Sequence, residues 1–318
     1  MALLKYKIIF NPIAGKGAAG KRLQELNGLL REAGLKYEIF TTTGVAHAID
    51  LAKNAGSEGF DVVVSAGGDG TANEVVNGLM RAHELGGTIP AMGNLSIGRG
   101  NDFSYGADVP STLSSCVRIL VDDHRRGMDV GRVTGGDYPQ GRYFGNGIGV
   151  GFDTIVGLEA AKMKHVHGFM AYVYGALRTL IMYPEAPDIR ISFDGTVLEQ
   201  PSHQISIMNG KRMGGTFFMA PNAQNNDGKF DLCLSHRLDR RAMISLIGRF
   251  IKGTQATHPL ITTAASSRFE IEAVRGGLVC HADGETICMN GTSLSVECLP
   301  SRIQMICSPR TIGGNGTT

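Results

Sequence analysis

Apolar residues follow two rhythms along this chain, and the change from one to the other falls near residue 130. Before it, short apolar runs alternate with helical spacing. Lys7-Ile8-Ile9-Phe10 reads as a strand. Leu23, Leu26, Leu29, Leu30 and Ala33 then recur three and four residues apart, as one buried helix face does, and Gly34 closes the run. Residues 37–41 give a second strand and 45–55 a second helix; 61–66 and 71–82 add a third pair. Strand-helix alternation of this kind predicts an α/β N-terminal domain with a largely parallel sheet and helices on both faces.

After residue 130 the period shortens. Ile189, Ile191 and Phe193 alternate with Arg190 and Ser192 before Asp194-Gly195, a short hairpin signal. Further strand-like runs cover residues 204–208, 230–234, 269–273, 278–281, 293–299 and 303–306. One amphipathic helix interrupts them, with Ala242, Leu246, Ile247, Phe250 and Ile251 on its apolar side and Gly253 at its end. The expected division is an α/β domain over residues 1–130 and a β-sandwich-like second domain over 131–309, its last segment free to return to the first. Residues 310–318 read as a disordered tail.

Composition removes some functions. At 318 residues, 42% hydrophobic and 19% charged, the chain suits two ordinary globular cores. A net charge of +2 supplies no field for nucleic acid, so no such partner is expected. The six cysteines form no C-x-x-C pair and no zinc spacing, as in reduced thiols of a cytosolic protein. Lys5 and Lys7 interrupt the first apolar stretch, which excludes a signal-peptide core. No run approaches the ~18 apolar residues of a membrane span. A lipid would be met from the water side, by peripheral contact of a cytoplasmic protein. The oligomeric state stays open, a homodimer included.

Candidate chemistry sits in the loops that follow the strands, where ligands of open α/β sheets gather. Gly67-Gly68-Asp69-Gly70-Thr71 joins the third strand to its helix. Bare glycine amides and a helix N-terminus favour an anion there. Asp69 is then the odd charge; a divalent metal between carboxylate and phosphate, a proton, or a ribose hydroxyl would each explain it. Residues 11–20 hold a G-x-G-x-x-G, but the second strand ends in Thr41-Thr42-Thr43 and not in the acid a dinucleotide fold uses for ribose. Lys16 has no following Ser or Thr, so the loop is not a Walker A motif. Asp102, after Gly98-Arg99-Gly100-Asn101, and Asp129, before Val130-Gly131, offer further carboxylates that could converge with Asp69 on Mg²⁺. Turn or cap duty is the alternative for each. Asp283-Gly284-Glu285 reads as a hairpin turn, or as the source of the carboxylate that a phosphoryl acceptor needs.

The glycine loop alone is shared by NAD kinases, phosphofructokinases and diacylglycerol-type lipid kinases. The ordered set is more specific. It runs Asn11-Pro12 with Gly15, Gly67-Gly68-Asp69-Gly70-Thr71 through Asn77-Gly78, Asn101-Asp102-Phe103 and Asp129-Val130-Gly131. Asn209-Gly210, Ala220-Pro221 with Ala223, Asn226-Asp227-Gly228 and Asp283-Gly284-Glu285 follow. In that order and spacing it resembles the bacterial lipid kinases of the diacylglycerol kinase catalytic family, over nearly the whole chain.

The resemblance implies ATP and Mg²⁺ as cofactors, bound in the cleft between the domains, and a lipid substrate reached at the membrane surface. It implies ATP contacts at Asn11, Thr42, Gly67, Gly68, Asp69, Gly70, Thr71, Ala72 and Asn73. Asp69, Asp102 and Asp129 would form the catalytic magnesium network, and Glu285 would accept the proton. A second, structural magnesium would lie at Gln224, Asp227 and Lys229, with backbone carbonyls serving at the first and last. One departure stands out: Arg99 replaces the family's usual threonine, where it clamps a phosphate, blocks the site or points outward. A soluble-metabolite kinase such as an NAD kinase, and a nucleotide-binding module without transferase activity, are the rival readings. His165, His167, Phe169, Met170, Tyr172 and Tyr174 either line a lipid access route or make helix surface and core.

Overall fold

In the computed structural model, which describes residues 3–15, 17–98, 100–162 and 169–309, the first domain follows the apolar rhythm. Strand β1 (Lys5–Phe10) lies between β2 (Lys36–Thr41) and β3 (Val62–Gly67), with β4 (Ala91–Ser96) beyond β3, and all four run parallel. The helices between and after them are α1 (Ala18–Lys21), α2 (Leu23–Glu32), α3 (His47–Asn54), α4 (Asp69–Glu84), α5 (Asp102–Gly106) and α6 (Leu113–Asp122). Strands β3 and β4 are buried at every residue, as central parallel strands covered on both faces must be. Helices α3 and α4 touch at Gly78, where a Cβ would lie 2.4 Å from the Ile49 carbonyl oxygen.

The second domain begins inside a strand and not in a linker. β5 (Arg125–Gly135) runs through the expected boundary at residue 130, followed by β6 (Tyr138–Phe144) and β7 (Gly147–Gly151). Two helices come next, α7 (Phe152–Ala161) and α8 (Phe169–Met182). Then follow β8 (Asp188–Phe193), β9 (Thr196–Pro201), β10 (Gln204–Met208), β11 (Phe230–Ser235), α9 (Arg240–Lys252), β12 (Ile261–Ser266), β13 (Arg268–Arg275), β14 (Leu278–Ala282), β15 (Glu285–Gly291) and β16 (Ser293–Ile306).

The strands form two sheets. One has the order β2-β1-β3-β4-β16-β13-β8-β9, with β5 and β6 branching from β16; the other is antiparallel, β12-β11-β10-β7-β14-β15. Their facing sides share a core of Phe144, Ile189, Phe230, Phe269, Val296 and neighbours. Phe144 and Phe230 meet across it with ring centroids 5.3 Å apart. The last segment does return to the first domain, since Met305 of β16 pairs with Met92 of β4. The runs at 293–299 and 303–306 are one strand, broken only by a register shift between Leu299 and Ile303.

Helices α7 and α8 are among the elements the apolar pattern did not show, with β4, α6 and β5 to β7. The residues of α7 and α8 are apolar nearly all round, so no helical stripe stands out. α8 packs against α7 at Gly175, where a Cβ would lie 2.4 Å from the Val156 carbonyl oxygen. The opposite face carries Met170, Tyr174, Leu177 and Ile181 in the open. His165 and His167 lie outside the described residues.

Candidate active site

The loops at the carboxyl ends of β1, β2, β3 and β4 come together. Asn11 donates its side-chain amide to Thr71 Oγ1 at 3.0 Å and its backbone N–H to the Ala66 carbonyl, tying the first loop to the third. The Thr42 N–H donates to Phe10 O beside it. Gly68 caps α4 with no side-chain hydrogen bond. Its loop and the one after β4 nearly touch: a Cβ on Gly98 would lie 2.5 Å from Gly68 Cα. Only glycine permits that approach, and it leaves the start of α4 open to an anion. Thr71 and Ala72 are buried within the first turn. Arg99 lies outside the described residues.

Asp69 and Asp102 form the polar floor of this cleft. A Cβ on Gly100 would sit 2.9 Å from Asp69 Oδ2 and 3.6 Å from Asp102 Oδ2. Asp69 Oδ1 accepts the Phe103 N–H at 3.0 Å. Asp102 is held by Arg212 Nε at 3.0 Å and by the Gly215 N–H, and Arg212 stacks on Tyr105. Burial raises the Asp69 carboxyl, opposed by the Phe103 N–H and reinforced by Asp283. Asp102 is pushed up to about 7, by burial first and then by the charge of Asp69. Two carboxyls that disfavour each other's charge suit a divalent cation or a shared proton.

Asp129 does not join them. It is fully buried, and its two carboxylate oxygens accept the Gly228 N–H at 2.7 Å and the Ser301 N–H at 2.8 Å. Its place is beneath the exposed turn that carries Gln224, Asp227 and Lys229. Asp227 Oδ1 accepts the Lys229 N–H at 3.1 Å. The Cys298 thiol is pushed up to about 12, by burial first and then by Asp129 and Asp227 together. Among the described residues no group of three or more His, Cys, Asp or Glu is arranged to hold a metal ion, so the expected three-acid network is not formed.

Asn73 also departs from its expected role. It is wholly buried, and its amide donates to Tyr143 O and to Asp283 Oδ2, both at 3.0 Å. Its Oδ1 accepts from Arg142 Nη2 at 2.9 Å. That side chain bolts α4 to the sandwich and has nothing left for a nucleotide.

Asp283 is the partner that sequence reasoning passed over. Asp283 (φ 48°) and Gly284 (φ 88°) make the tight turn between β14 and β15, with Ala282 opposite Glu285. The Asp283 carboxylate accepts N–H groups from Gly145 at 2.7 Å, Asn146 at 3.0 Å and Gly147 at 2.9 Å, besides Asn73. Burial pushes this carboxyl up and those donors work against it. The effect is to fix Glu285 over the glycine loop: its Oε1 is 4.0 Å from where a Cβ of Gly70 would be, and Arg142 Nη2 stands 3.9 Å from Oε2. Asp283→Ala leaves several buried donors unmatched and is expected to cost about 3 kcal/mol or more of stability, read as a lower urea midpoint. A midpoint equal to wild type would show that water replaces the carboxylate.

A cavity of about 320 Å³ opens from this floor into the second domain. Asp69, Asp102 and Asp283 border one end; Val156, Leu158, Met243, Leu246 and Phe250, from α7 and α9, make much of the remaining wall. Polar residues interrupt it, among them Thr154, Gln204, Thr286 and the titratable pair Asp153 and His281, and none of these was singled out from sequence as a site residue.

An α/β domain with glycine loops at its carboxyl edge, set against a β-sandwich that sends an acidic hairpin into the same cleft, defines a two-domain kinase architecture. Residues 5–133 match the diacylglycerol kinase catalytic domain, and residues 146–307 match the YegS C-terminal NAD kinase beta sandwich-like domain. The chain belongs to the diacylglycerol kinase catalytic-domain family. It is 27% identical over 282 residues to a diacylglycerol kinase of Staphylococcus aureus (strain bovine RF122 / ET3-1), covering 88% of this chain and 85% of that one. A crystal structure of a diacylglycerol kinase from Bacillus anthracis str. Sterne shares the fold at TM-score 0.73 and 22% identity, over 97% of this chain and 98% of that one. Another from the same organism, described as a candidate diacylglycerol kinase, gives TM-score 0.78 at 24% identity, over 97% and 99%.

Proposed function

We propose that the protein transfers the γ-phosphoryl group of ATP, with Mg²⁺, to a hydroxyl of a lipid. The observation that carries this reading is the cavity that joins the acidic floor to an apolar interior. A phosphorylated metabolite such as NAD has no use for a wall of Leu, Met, Val and Phe, whereas an alkyl chain does. Glu285, held over the glycine loop by the Asp283 turn, favours an enzyme over a binding module, which needs no placed base.

Each part then has a task. The open first turn of α4 and the glycine amides receive phosphate oxygens. Asp69 and Asp102 fit Mg²⁺, which when bound would neutralise charge on the terminal phosphates. Glu285 accepts the proton of the attacking hydroxyl. Among the described residues no helix is long and apolar enough to cross a membrane. The lipid is taken at a bilayer surface, and the outer face of α8 is the contact: Met170, Leu177 and Ile181 are 59%, 53% and 75% exposed, while Ala176 on the inner face borders the cavity. That helix has no acid, and its one charge, Arg178, pairs with Glu159 of α7 at 3.3 Å, so the exposed face is apolar.

Incubation of the protein with radiolabelled ATP, Mg²⁺ and vesicles of total membrane lipid tests the reading. Label should enter the organic phase and the protein should sediment with the vesicles. Label entering NAD, or no acceptor at all, overturns it.

The second magnesium is proposed at the Gln224, Asp227 and Lys229 turn. Asp227→Ala should remove the magnesium-dependent part of thermal stability, since a bound ion stabilises only the folded state. ATP affinity should change less than Tm. If EDTA lowers the melting of wild type and variant equally, the ion is held elsewhere.

A further inference from the structure

Among the polar side chains that line the cavity, two titratable ones, Asp153 and His281, have no task in phosphoryl transfer. Asp153 stands in the first turn of α7, and His281 in β14, two residues before Asp283. Their tips gather over Gly149 of β7. A Cβ there would lie 2.3 Å from Asp153 Oδ2 and 2.7 Å from His281 Nε2. The two atoms are therefore at most about 5 Å apart, within reach of one bridging hydroxyl.

Bonds behind each tip set its role. His281 Nδ1 accepts the Gly284 N–H at 3.2 Å, which places the ring proton on Nε2 and aims a donor at the cavity. Among the described residues no acceptor is hydrogen-bonded to that Nε2. Asp153 Oδ1 accepts the Thr154 N–H at 2.7 Å, and Oδ2 accepts Ser206 Oγ at 3.1 Å with a lone pair to spare. Burial pushes His281 down to about 4 and Asp153 up to about 7. The imidazole is therefore neutral near pH 7 while the carboxylate of Asp153 is still well populated, so the pair offers a ligand one donor and one acceptor and does not lock into an ion pair.

We infer that Asp153 and His281 form a headgroup subsite, which reads a second polar group of the acceptor lipid next to the hydroxyl that is phosphorylated. The inference rests on the lipid-kinase reading and names the substrate class within it. A free hydroxyl both donates and accepts, so it satisfies Asp153 Oδ2 and His281 Nε2 together; an amine donates to Asp153. An ester oxygen only accepts, so it satisfies His281 and leaves Asp153 facing a lone pair. A cavity of about 320 Å³ is of the size that takes a small ligand, here a headgroup with part of an alkyl chain. The preferred acceptor is a lipid with a free hydroxyl or amine beside the reacting hydroxyl, such as a monoacylglycerol or a sphingoid base, over a diacylglycerol, which has an ester there.

The test compares kcat/KM for a 1-monoacylglycerol, a sphingoid base and a diacylglycerol, each presented in the same detergent micelles. Wild type should favour the single-chain lipids by about tenfold or more, the scale on which a site built to hydrogen-bond rejects a poorer partner. Asp153→Asn, whose amide both donates and accepts, should collapse that preference, the ratio of kcat/KM for the single-chain lipids to that for diacylglycerol falling to near one. His281→Phe should slow all three lipids, and His281→Gln, which keeps a donor, should recover much of the loss. An equal fall on all lipids with Asp153→Asn would make Asp153 a cap of α7 and nothing more. Transfer to lipids without discrimination by wild type overturns the subsite alone. No transfer to any lipid overturns the kinase reading, and the subsite with it.

Discussion

Asp69→Asn is expected to lower kcat by about a thousandfold or more, about 4 kcal/mol of barrier, with the fold intact. The amide keeps the shape of the side chain, and its oxygen can still accept the Phe103 N–H that holds Asp69 in place. What it loses is the charge beside Asp102 that, on the proposed function, would hold Mg²⁺ against the phosphates. Stability should move the other way. A carboxyl whose pKa is raised in the fold costs stability at every pH above its unfolded value, and burial raises Asp69. At pH 8 without magnesium the variant should therefore melt at or above wild type. An inactive variant that also melts early would mean a damaged cleft. Retention of more than about a tenth of kcat, a loss of roughly 1.4 kcal/mol or less, removes Asp69 from the metal.

Much of this cleft can be read from local pattern. The order strand, glycine loop, helix is written into residues 61–82 by apolar spacing, so Gly67, Gly68 and Asp69 can be placed before any contact is known. The hairpins at Asp194-Gly195 and Asp283-Gly284 are equally local, because the residues after each strand must adopt positive φ. Contacts between distant loops are different. Asp129 and Asp102 look alike in sequence, each a lone acid close to glycine. Nothing in the spacing says that Asp129 is drawn to Gly228 and Ser301, 99 and 172 residues away. The bond from Asn73 to Asp283 spans 210 residues and joins two motifs that each looked complete alone. Helices α7 and α8 escaped for another reason. A helix that packs on one side and exposes Met170, Leu177 and Ile181 on the other is apolar on both, and loses the periodicity by which helices are recognised. The same two helices flank the cavity on which the lipid proposal rests.

Glu285→Gln is expected to lower kcat about a hundredfold or more, the usual scale of general acid–base catalysis, and to change ATP affinity by calorimetry less than about threefold. A base must reach the hydroxyl that attacks, and Glu285 stands over Gly70 at the mouth between domains. Glutamine keeps its size and its contact with Arg142 but cannot accept a proton. The position itself should survive, because Asp283 and the N–H groups of Gly145, Asn146 and Gly147 hold the hairpin without help from residue 285. The competing assignment gives the proton to Asp69, leaving Glu285 as the first residue of β15 and a weak partner of Arg142. Under that assignment the glutamine variant keeps most of its kcat on every lipid. The two acids also differ in exposure: the Glu285 side chain is 43% exposed and free to turn toward an acceptor, whereas Asp69 is tied by Phe103 beneath the loop. A base must give up its proton to solvent after each turnover, and the exposed carboxylate is the one placed to do so. Activity lost together with ATP binding would support neither assignment and would trace the effect to the cleft as a whole.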